Sequence, residues 1–189
     1  MTAIRTLVLQ ALSDPVQGAQ AILALQPPVP VRWMLLAAAI LVSVIGVYLV
    51  PAALGQAEDL PSPFVFTAAQ VALNVVVVAL ITHVGRLFGG TGAFLDALWL
   101  VGWMQAITAL LLVVQIVVLI ALPLLNVPVF VASVAVSLWL LVGFICALHG
   151  FRSRIMVLTT GLMVFLMASY VLSLVFLALG YEPAGLSNV

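Results

Sequence analysis

Five long apolar stretches dominate the pattern of this chain, and short loops that hold most of its prolines, charges and glycine pairs separate them. Each stretch approaches or exceeds the ~20 residues that a helix needs to cross the hydrocarbon core of a bilayer. The pattern therefore predicts five membrane-spanning helices, and the short loops predict that neighbouring helices are antiparallel and adjacent. The predicted spans are 33–54, 63–85, 96–122, 128–148 and 155–180.

The first 31 residues follow another pattern, in which apolar residues recur at helical spacing and polar residues fall elsewhere. This arrangement is typical of helices that lie in the membrane interface. The apolar positions are Ile4, Leu7, Val8, Ala11 and Leu12. Asp14 before Pro15 predicts the N-cap and first turn of a second short helix, which ends near Gln26.

These patterns predict an all-α fold, in which a five-transmembrane-helix bundle over residues 32–189 follows N-terminal interfacial amphipathic helices within residues 1–31. A loosely ordered tail is the alternative for the N-terminal segment. A composition that is 67% hydrophobic and 5% charged excludes a soluble domain. A net charge of zero leaves no basic surface for nucleic acid. Cys146 stands alone in an apolar run, which predicts a buried thiol.

All five arginines fall on one predicted side of the membrane, and they are Arg5, Arg32, Arg86, Arg152 and Arg154. The opposite side carries the acidic residues Glu58, Asp59 and Glu182. By the positive-inside rule, the N-terminus is then cytoplasmic and the C-terminus lies outside. Arginine without lysine suggests a bacterial origin, so we expect the inner membrane, with the C-terminus in the periplasm.

Aromatic residues near the ends of the predicted spans fit an interfacial belt, and they are Trp33, Trp99, Trp103 and Tyr181. Trp139 falls near the middle of a span, so we expect it to pack inside the bundle.

Charged residues are absent from the middle of every predicted span, which disfavours an ion-coupled pump. Neutral polar residues do occur there: Gln70 and Asn74 are four residues apart on one face of the second span, and Gln115 lies in the third. Hydrogen bonds between helices, each worth about 1 kcal/mol, are the simpler interpretation. A groove for lipid or a small solute, lined by these three residues, is the alternative.

Motifs for catalysis, cofactor binding or metal binding are missing: the chain has no HExxH, GxSxG, P-loop or Cys/His spacing. His83 and His149 fall at the same predicted side of the membrane and could approach Asp96 in a metal or acid–base site. Contacts with lipid headgroups or with the helix dipole explain the same positions more simply. We therefore predict no enzyme activity, no cofactor and no metal.

A glycine hairpin, RLFGGTG, joins the second and third spans. Its glycines permit a tight reversal, and Gly89 or Gly90 is the expected cap of the second span. The arginines and loop amides on this side are candidates for contact with lipid phosphate or with a partner. The candidate contact residues are Arg86, Gly89, Gly90, Gly92, Asp96, His149, Arg152 and Arg154.

Three segments resemble the Yip1-domain family in its compact bacterial form: SDP at 13–15, LFGGTGAFLDAL at 87–98 and WLLVGFICALHGF at 139–151. The resemblance covers most of the chain from about Ser13 onward, and it implies five spans after a short cytoplasmic N-terminal segment. For the family it implies integral membrane proteins of the early secretory pathway. Such proteins associate with prenylated Rab-type GTPases and with one another, and influence membrane trafficking or shape.

The leading functional hypothesis is a non-enzymatic membrane protein that organises or shapes the bilayer, or scaffolds partners, at its cytoplasmic face. Its expected partners are membrane lipids, further copies of itself in a homo-oligomer, or other membrane proteins. The alternative is a lipid or small-solute translocator, similar to a scramblase, that uses a polar groove within the membrane.

Overall fold

The computed structural model describes residues 2–53 and 60–178, and over these ranges the fold is all-helical, without strands. The helices are α1 (Thr2–Ser13), α2 (Pro15–Ala24), α3 (Val29–Ala53), α4 (Pro63–Leu87), α5 (Phe94–Ala121), α6 (Asn126–His149) and α7 (Arg154–Ala178). A single 3-10 turn, Pro123–Leu125, separates α5 from α6. Of the predicted features, Glu58, Asp59, Tyr181 and Glu182 lie outside the described residues.

Five of these helices, α3 to α7, are long and apolar enough to cross a membrane, which confirms the predicted spans. The spanning segments are Val29–Pro51, Pro63–Leu87, Phe94–Ala121, Pro123–His149 and Arg154–Leu174. The chain divides into two compact units, one that ends at Arg152 and contains α1 to α6, and one that begins at Ser153 and contains α7.

The core of the first unit is built around α5, which packs against α3, α4 and α6. Two turns of α5, from Ala97 to Trp103, are almost fully buried. Gly102 faces Leu35 and Leu36 of α3, where an added Cβ would lie 3.4 Å from Leu35 Cδ2. Small residues therefore let α3 and α5 approach closely, as is usual for helices in membranes.

The predicted short helices α1 and α2 form a helical hairpin, called here the N-terminal hairpin. Asp14 caps α2 as predicted, because its Oδ1 accepts hydrogen bonds from the backbone N–H groups of Val16 at 3.0 Å and Gln17 at 3.3 Å. The two helices cross where Gly18 meets Ala11, and an added Cβ on Gly18 would lie 2.4 Å from Ala11 Cα. Only glycine fits this crossing.

The N-terminal hairpin packs against α6 and α5. Pro15 fills the space beside Gly143 of α6, where an added Cβ would lie 2.5 Å from the proline ring. Trp99 of α5 donates a hydrogen bond from Nε1 to the carbonyl of Ile22 at 2.9 Å. The sequence pattern assigns the apolar face of α1 to the bilayer, but much of that face contacts protein. The position of the N-terminal hairpin at a membrane surface stays a prediction.

Two of the tryptophans predicted for the interfacial belt are buried instead. Trp99 and Trp103 are 6% and 8% exposed and pack edge to face, with ring centroids 5.9 Å apart. The N-terminal hairpin covers this end of α5, which is why Trp99 does not reach the interface. The prediction for Trp139 is wrong as well, because this side chain is 42% exposed on α6. Trp33 is exposed, in keeping with a belt position.

The second unit contains α7, which begins after Ser153. The Ser153 hydroxyl accepts a hydrogen bond from the backbone N–H of Met156 at 3.2 Å and so caps the helix. Within α7, the hydroxyl of Ser173 donates to the carbonyl of Ser169 at 2.9 Å. A polar side chain in this apolar helix is thus satisfied by its own backbone.

Candidate functional site

The glycine hairpin turns as its sequence predicts. Gly89 has a φ of +83°, in the left-handed region, and follows the end of α4. The N–H of Gly90 donates to the carbonyl of Gly85 at 2.9 Å, and the N–H of Gly89 donates to the carbonyl of Arg86 at 3.0 Å. This pair of bonds is the Schellman motif, in which glycine ends a helix by satisfying its last carbonyls.

Gly85 of α4 and two glycines of the hairpin, Gly90 and Gly92, surround a side chain from α6. His149 is 3% exposed, and its imidazole occupies the space that side chains at Gly85, Gly90 and Gly92 would need. An added Cβ would lie 2.2 Å from the ring at Gly85, 2.3 Å at Gly90 and 2.7 Å at Gly92. We call this arrangement the histidine cradle. His149 is therefore a buried link between the hairpin and α6, and its ring does not face solvent.

Both ring nitrogens of His149 have backbone partners. The N–H of Gly92 donates to Nδ1 at 3.2 Å, and Nε2 lies 3.1 Å from the carbonyl oxygen of Ile81. A backbone N–H can only donate and a carbonyl can only accept, so these partners assign a neutral ring with its proton on Nε2. The geometry leaves neither nitrogen available to bind a metal or a phosphate.

The motif around His149 also ends α6. Gly150 has a φ of +74°, and the N–H of Phe151 donates to the carbonyl of Cys146 at 3.0 Å. The turn places the Phe151 ring on the imidazole of His149, with centroids 5.3 Å apart and planes 21° apart. The sequence His149-Gly150-Phe151 therefore forms one structural feature, which closes the cradle.

The outer side of the hairpin is exposed. Arg86 donates from Nε to the carbonyl of Gly92 at 3.0 Å, which fixes the guanidinium beside the turn. Leu87 is 84% exposed and Phe88 is 51% exposed. Residues Arg86–Gly89 are called the hairpin tip below. The tip combines one cation with two uncovered apolar side chains on a turn that is anchored from within.

Asp96 has a structural partner outside the hairpin. Its Oδ1 accepts a hydrogen bond from Arg32 Nη1 at 2.7 Å, and Arg32 Nε also donates to the carbonyl of Pro27 at 3.0 Å. The pair joins the start of α3, the start of α5 and the segment after α2. Asp96 also lies in the first turn of α5, where the helix dipole favours a negative charge. Arg32 and Asp96 are 64 residues apart in the chain, so no local sequence pattern predicts this contact.

The alternative site of His83, His149 and Asp96 does not assemble. His83 is exposed, and its Nδ1 lies 2.8 Å from the carbonyl oxygen of Ala79 in its own helix. His149 and Asp96 have the separate partners described above. Among residues 2–53 and 60–178, no group of three His, Cys, Asp or Glu side chains could hold a metal ion. Arg152 is exposed just beyond the cradle, and Arg154 begins α7 in the second unit.

The polar residues inside the spans fall in two places. Asn74 is 4% exposed; its Nδ2 donates to the carbonyl of Gln70 at 2.9 Å, and its Oδ1 accepts from Gln105 Nε2 at 2.5 Å. This bond between α4 and α5 matches the simpler interpretation, with Gln105 as a partner that the sequence did not reveal. Gln115 instead donates from Nε2 to the carbonyl of Asn126 at 2.9 Å.

A groove of about 360 Å³ lies between α5 and α6, and Gln115 is part of its wall. Thr108 of α5 and Ser133 and Ser137 of α6 also line it, among apolar neighbours. Gln70 and Asn74 are not among its lining residues. The structure therefore separates the three groove candidates, and only Gln115 faces this groove.

The Yip1 domain family model matches residues 9–179, which is most of the chain. The chain belongs to the Yip1 domain family. The match begins within α1, so it includes the end of α1, all of α2, the glycine hairpin and the histidine cradle. Yip1 domain proteins are in general non-enzymatic membrane proteins. No curated protein and no solved structure matches the chain.

Proposed function

We propose that this Yip1 domain protein is a non-enzymatic scaffold that holds lipids or other membrane proteins at the membrane face where its hairpin tip lies. We place that face in the cytoplasm because the arginines fall on it, and the host membrane is then a bacterial inner membrane. The observation that carries the proposal is the hairpin tip: Leu87 and Phe88 are uncovered beside Arg86, while His149 anchors the turn from inside.

An anchored tip favours binding for an energetic reason. A loop that must be ordered on binding costs affinity, whereas a loop already fixed in one shape costs little. The Schellman bonds, the Arg86 bond to Gly92 and the histidine cradle all fix this turn. Leu87 and Phe88 offer apolar contact and Arg86 a positive charge. This chemistry fits an anionic headgroup region or a membrane-protein segment that is both apolar and acidic.

The N-terminal hairpin contributes less exposed apolar surface to such a site than its sequence suggests. Ala11, Ala19 and Ile22 are fully buried, so deletion of residues 1–26 would open the core and could not test binding by itself. Substitutions at the exposed tip are a cleaner test. Leu87 and Phe88 lie outside the buried core, so changing them should preserve the fold.

The test is photocrosslinking in intact membranes, with a photoreactive amino acid placed at Phe88 of the full-length chain. Leu124 lies in the turn between α5 and α6 and is 93% exposed. It provides the matched control, because it follows α5 whereas Phe88 precedes that helix. We expect the Phe88 probe to capture discrete proteins or anionic lipid that the Leu124 probe does not. A Leu87→Asp change should reduce that capture. Identical products from both probes, or full capture by the Leu87→Asp protein, would contradict the scaffold.

A second candidate function is a lipid or small-solute translocator, and the groove beside Gln115 favours it. The protein is reconstituted in defined liposomes, and lipid scrambling and solute flux are measured against empty liposomes. We expect Gln115→Leu to reduce any activity and the Gln70→Leu, Asn74→Leu double variant to leave groove-dependent activity in place. Absence of scrambling and flux by folded protein would remove this candidate.

A further inference from the structure

We infer that the hairpin tip and Arg152 bind the headgroups of anionic phospholipids in the bilayer that the protein spans. Leu87 and Phe88 contact the upper parts of the acyl chains, and Arg86 and Arg152 pair with the negative headgroup. This inference rests on the proposed scaffold and names the partner at its tip.

The tip lies at the depth where headgroups are found. Leu87 is the last residue of the spanning segment Pro63–Leu87, and Phe88 follows it directly. Residues at the end of a spanning helix meet the boundary between acyl chains and headgroups. Both side chains are exposed, so lipid at that boundary is their immediate neighbour.

Arg86 gives the tip a positive charge that no described carboxylate neutralises. Its hydrogen bond to the carbonyl of Gly92 uses Nε and leaves the two Nη groups for another partner. Among the described residues, no carboxylate lies within 4 Å of this guanidinium. Asp96, at the start of α5, is engaged by Arg32 instead. A negative headgroup therefore complements the charge of the tip.

Arg152 brings a second positive charge to the same end of the molecule. It follows Phe151, whose ring stacks on His149, and His149 packs against Gly85, the residue before Arg86. Arg152 is exposed, and within the described parts of the chain it has no carboxylate closer than 4 Å. Two such arginines favour an anionic lipid over a zwitterionic one, because the zwitterionic headgroup also presents its own cation.

The size of the tip favours lipid over a folded protein partner. An aromatic side chain buries about 150–250 Å² when it is fully covered, and leucine is smaller. Leu87 and Phe88 together therefore offer less than roughly 400 Å². A specific protein interface buries about 800 Å² on each partner. Acyl chains cover the two apolar side chains without a larger interface, and a free phosphate could not cover them at all.

The experiment uses the full-length protein in phosphatidylcholine liposomes. Two probe lipids, phosphatidylglycerol and phosphatidylcholine, carry the same photoactivatable group near the top of one acyl chain, and mass spectrometry locates the label. We expect both probes to label residues 86–92, and phosphatidylglycerol to do so roughly two- to fivefold more, the range for an exposed ion pair. Added salt should reduce this preference, because it screens exposed charges.

Variants separate the charge of the arginines from their structural role. Arg86→Gln and Arg152→Gln should each reduce the preference for phosphatidylglycerol, and the double variant should abolish it. Arg86→Lys keeps the charge but loses the Nε bond to Gly92, so it should retain the preference. Arg5→Gln, which removes an exposed arginine of α1, is the matched control and should leave the preference unchanged.

Phe88→Ser tests the apolar contact. It should reduce capture of both probes at residues 86–92 while the preference remains, whereas Leu124→Ser, in the exposed turn after α5, should change neither. Equal capture of the two probes by the unaltered protein would overturn the inference, as would a preference that survives the double arginine variant. Displacement of the phosphatidylglycerol probe by soluble glycerophosphoglycerol would assign the tip to a free phosphate ester instead.

The outcome is separable from that of the scaffold test. Discrete protein products from the Phe88 probe in intact membranes, with no lipid preference in liposomes, would keep the scaffold and overturn this inference. A lipid preference without protein products would support the inference and make anionic lipid the partner of the tip. Loss of both results would remove the scaffold and the lipid site together.

Discussion

His149 and the three glycines around it depend on one another for space. The imidazole lies within 2.2–2.7 Å of the positions that Cβ atoms would take at Gly85, Gly90 and Gly92. A buried ring with both nitrogens engaged also fixes the direction of the backbone groups that it meets. The imidazole of His149 can therefore occupy this position only because the three surrounding residues are glycines.

Removal of the imidazole should destabilise the protein. His149→Ala leaves a cavity and deprives the Gly92 N–H and the Ile81 carbonyl of their partner, so we expect a loss on the order of 2–4 kcal/mol in free energy of unfolding. Reversible unfolding of the purified protein in mixed micelles measures this loss. His83→Ala is the control, because His83 is exposed. Equal effects of the two substitutions would contradict a structural role for the cradle.

The cradle also predicts that the effect of Gly85→Ala on the free energy of unfolding depends on whether His149 is present. Alanine is the better helix former by roughly 1 kcal/mol, yet Gly85→Ala would place a Cβ 2.2 Å from His149 Nε2 and should destabilise the protein. In a His149→Ala background the space is free, and the same change should become neutral or stabilising. A double-mutant cycle on unfolding free energies measures the reversal.

Gly161 of α7 supplies the matched control for this cycle, since an added Cβ there meets no atom of the described residues within 4 Å. Gly161→Ala should have the same effect in both backgrounds. If Gly85→Ala cost the same with and without the imidazole, the cradle would not explain why residue 85 is glycine.

At the residue scale, the sequence revealed the turn and not the cradle. A left-handed Gly89 could be predicted, because two glycines after an apolar helix indicate a C-cap. The reason for glycine at 85, 90 and 92 could not, because the ring that needs the space comes from position 149. For Gly92 this partner is 57 residues away in the chain. Local pattern carries no information on such a contact.

Between elements, the bond from Gln105 to Asn74 should couple α4 to α5. The bond joins two amides inside the membrane, where such pairs are worth about 0.6–2 kcal/mol. We expect Asn74→Leu and Gln105→Leu to be non-additive by that amount in a double-mutant cycle on unfolding. Gln70→Leu is the control, since Asn74 uses the backbone carbonyl of Gln70. Additive effects would mean that the two amides do not interact.

Trp99 should hold the N-terminal hairpin against α5. Trp99→Phe keeps the ring packing but removes the Nε1 donor to Ile22, so we expect α1 and α2 to open more often while the spans remain intact. Hydrogen exchange of residues 2–24 measures the opening. Trp33→Phe, at an exposed position, should leave that exchange unchanged. Unchanged exchange in both variants would assign the docking to other contacts, such as Pro15 on Gly143.

At the element scale, the helices could be predicted and their neighbours could not. The length of the apolar stretches predicted the spans, and the Asp14-Pro15 pair predicted the start of α2. An apolar face, however, has the same pattern whether it meets lipid or protein. This is why Trp99 was expected in a belt and is buried, and why Trp139 was expected inside and is exposed.

The whole molecule carries its arginines on one predicted side, and this asymmetry predicts its orientation in the membrane. Two exposed apolar residues report on opposite sides: Leu87 in the hairpin tip, 84% exposed, and Leu124 between α5 and α6, 93% exposed. Cells that express the Leu87→Cys or the Leu124→Cys protein are treated with a membrane-impermeant maleimide. The outer envelope is opened so that the reagent reaches the inner membrane, which stays intact. We expect label at Leu124→Cys at once, and at Leu87→Cys only after the membrane is permeabilised.

The native thiol should not interfere with this measurement, because Cys146 is buried at 3% exposure. The unaltered protein, which contains only that thiol, measures the background. The reverse labelling pattern would place the hairpin tip outside the cell. The fold and the histidine cradle would be unaffected by that result, since neither depends on orientation, but a cytoplasmic scaffold would be excluded. The side of the membrane on which the proposed scaffold acts therefore depends on this orientation.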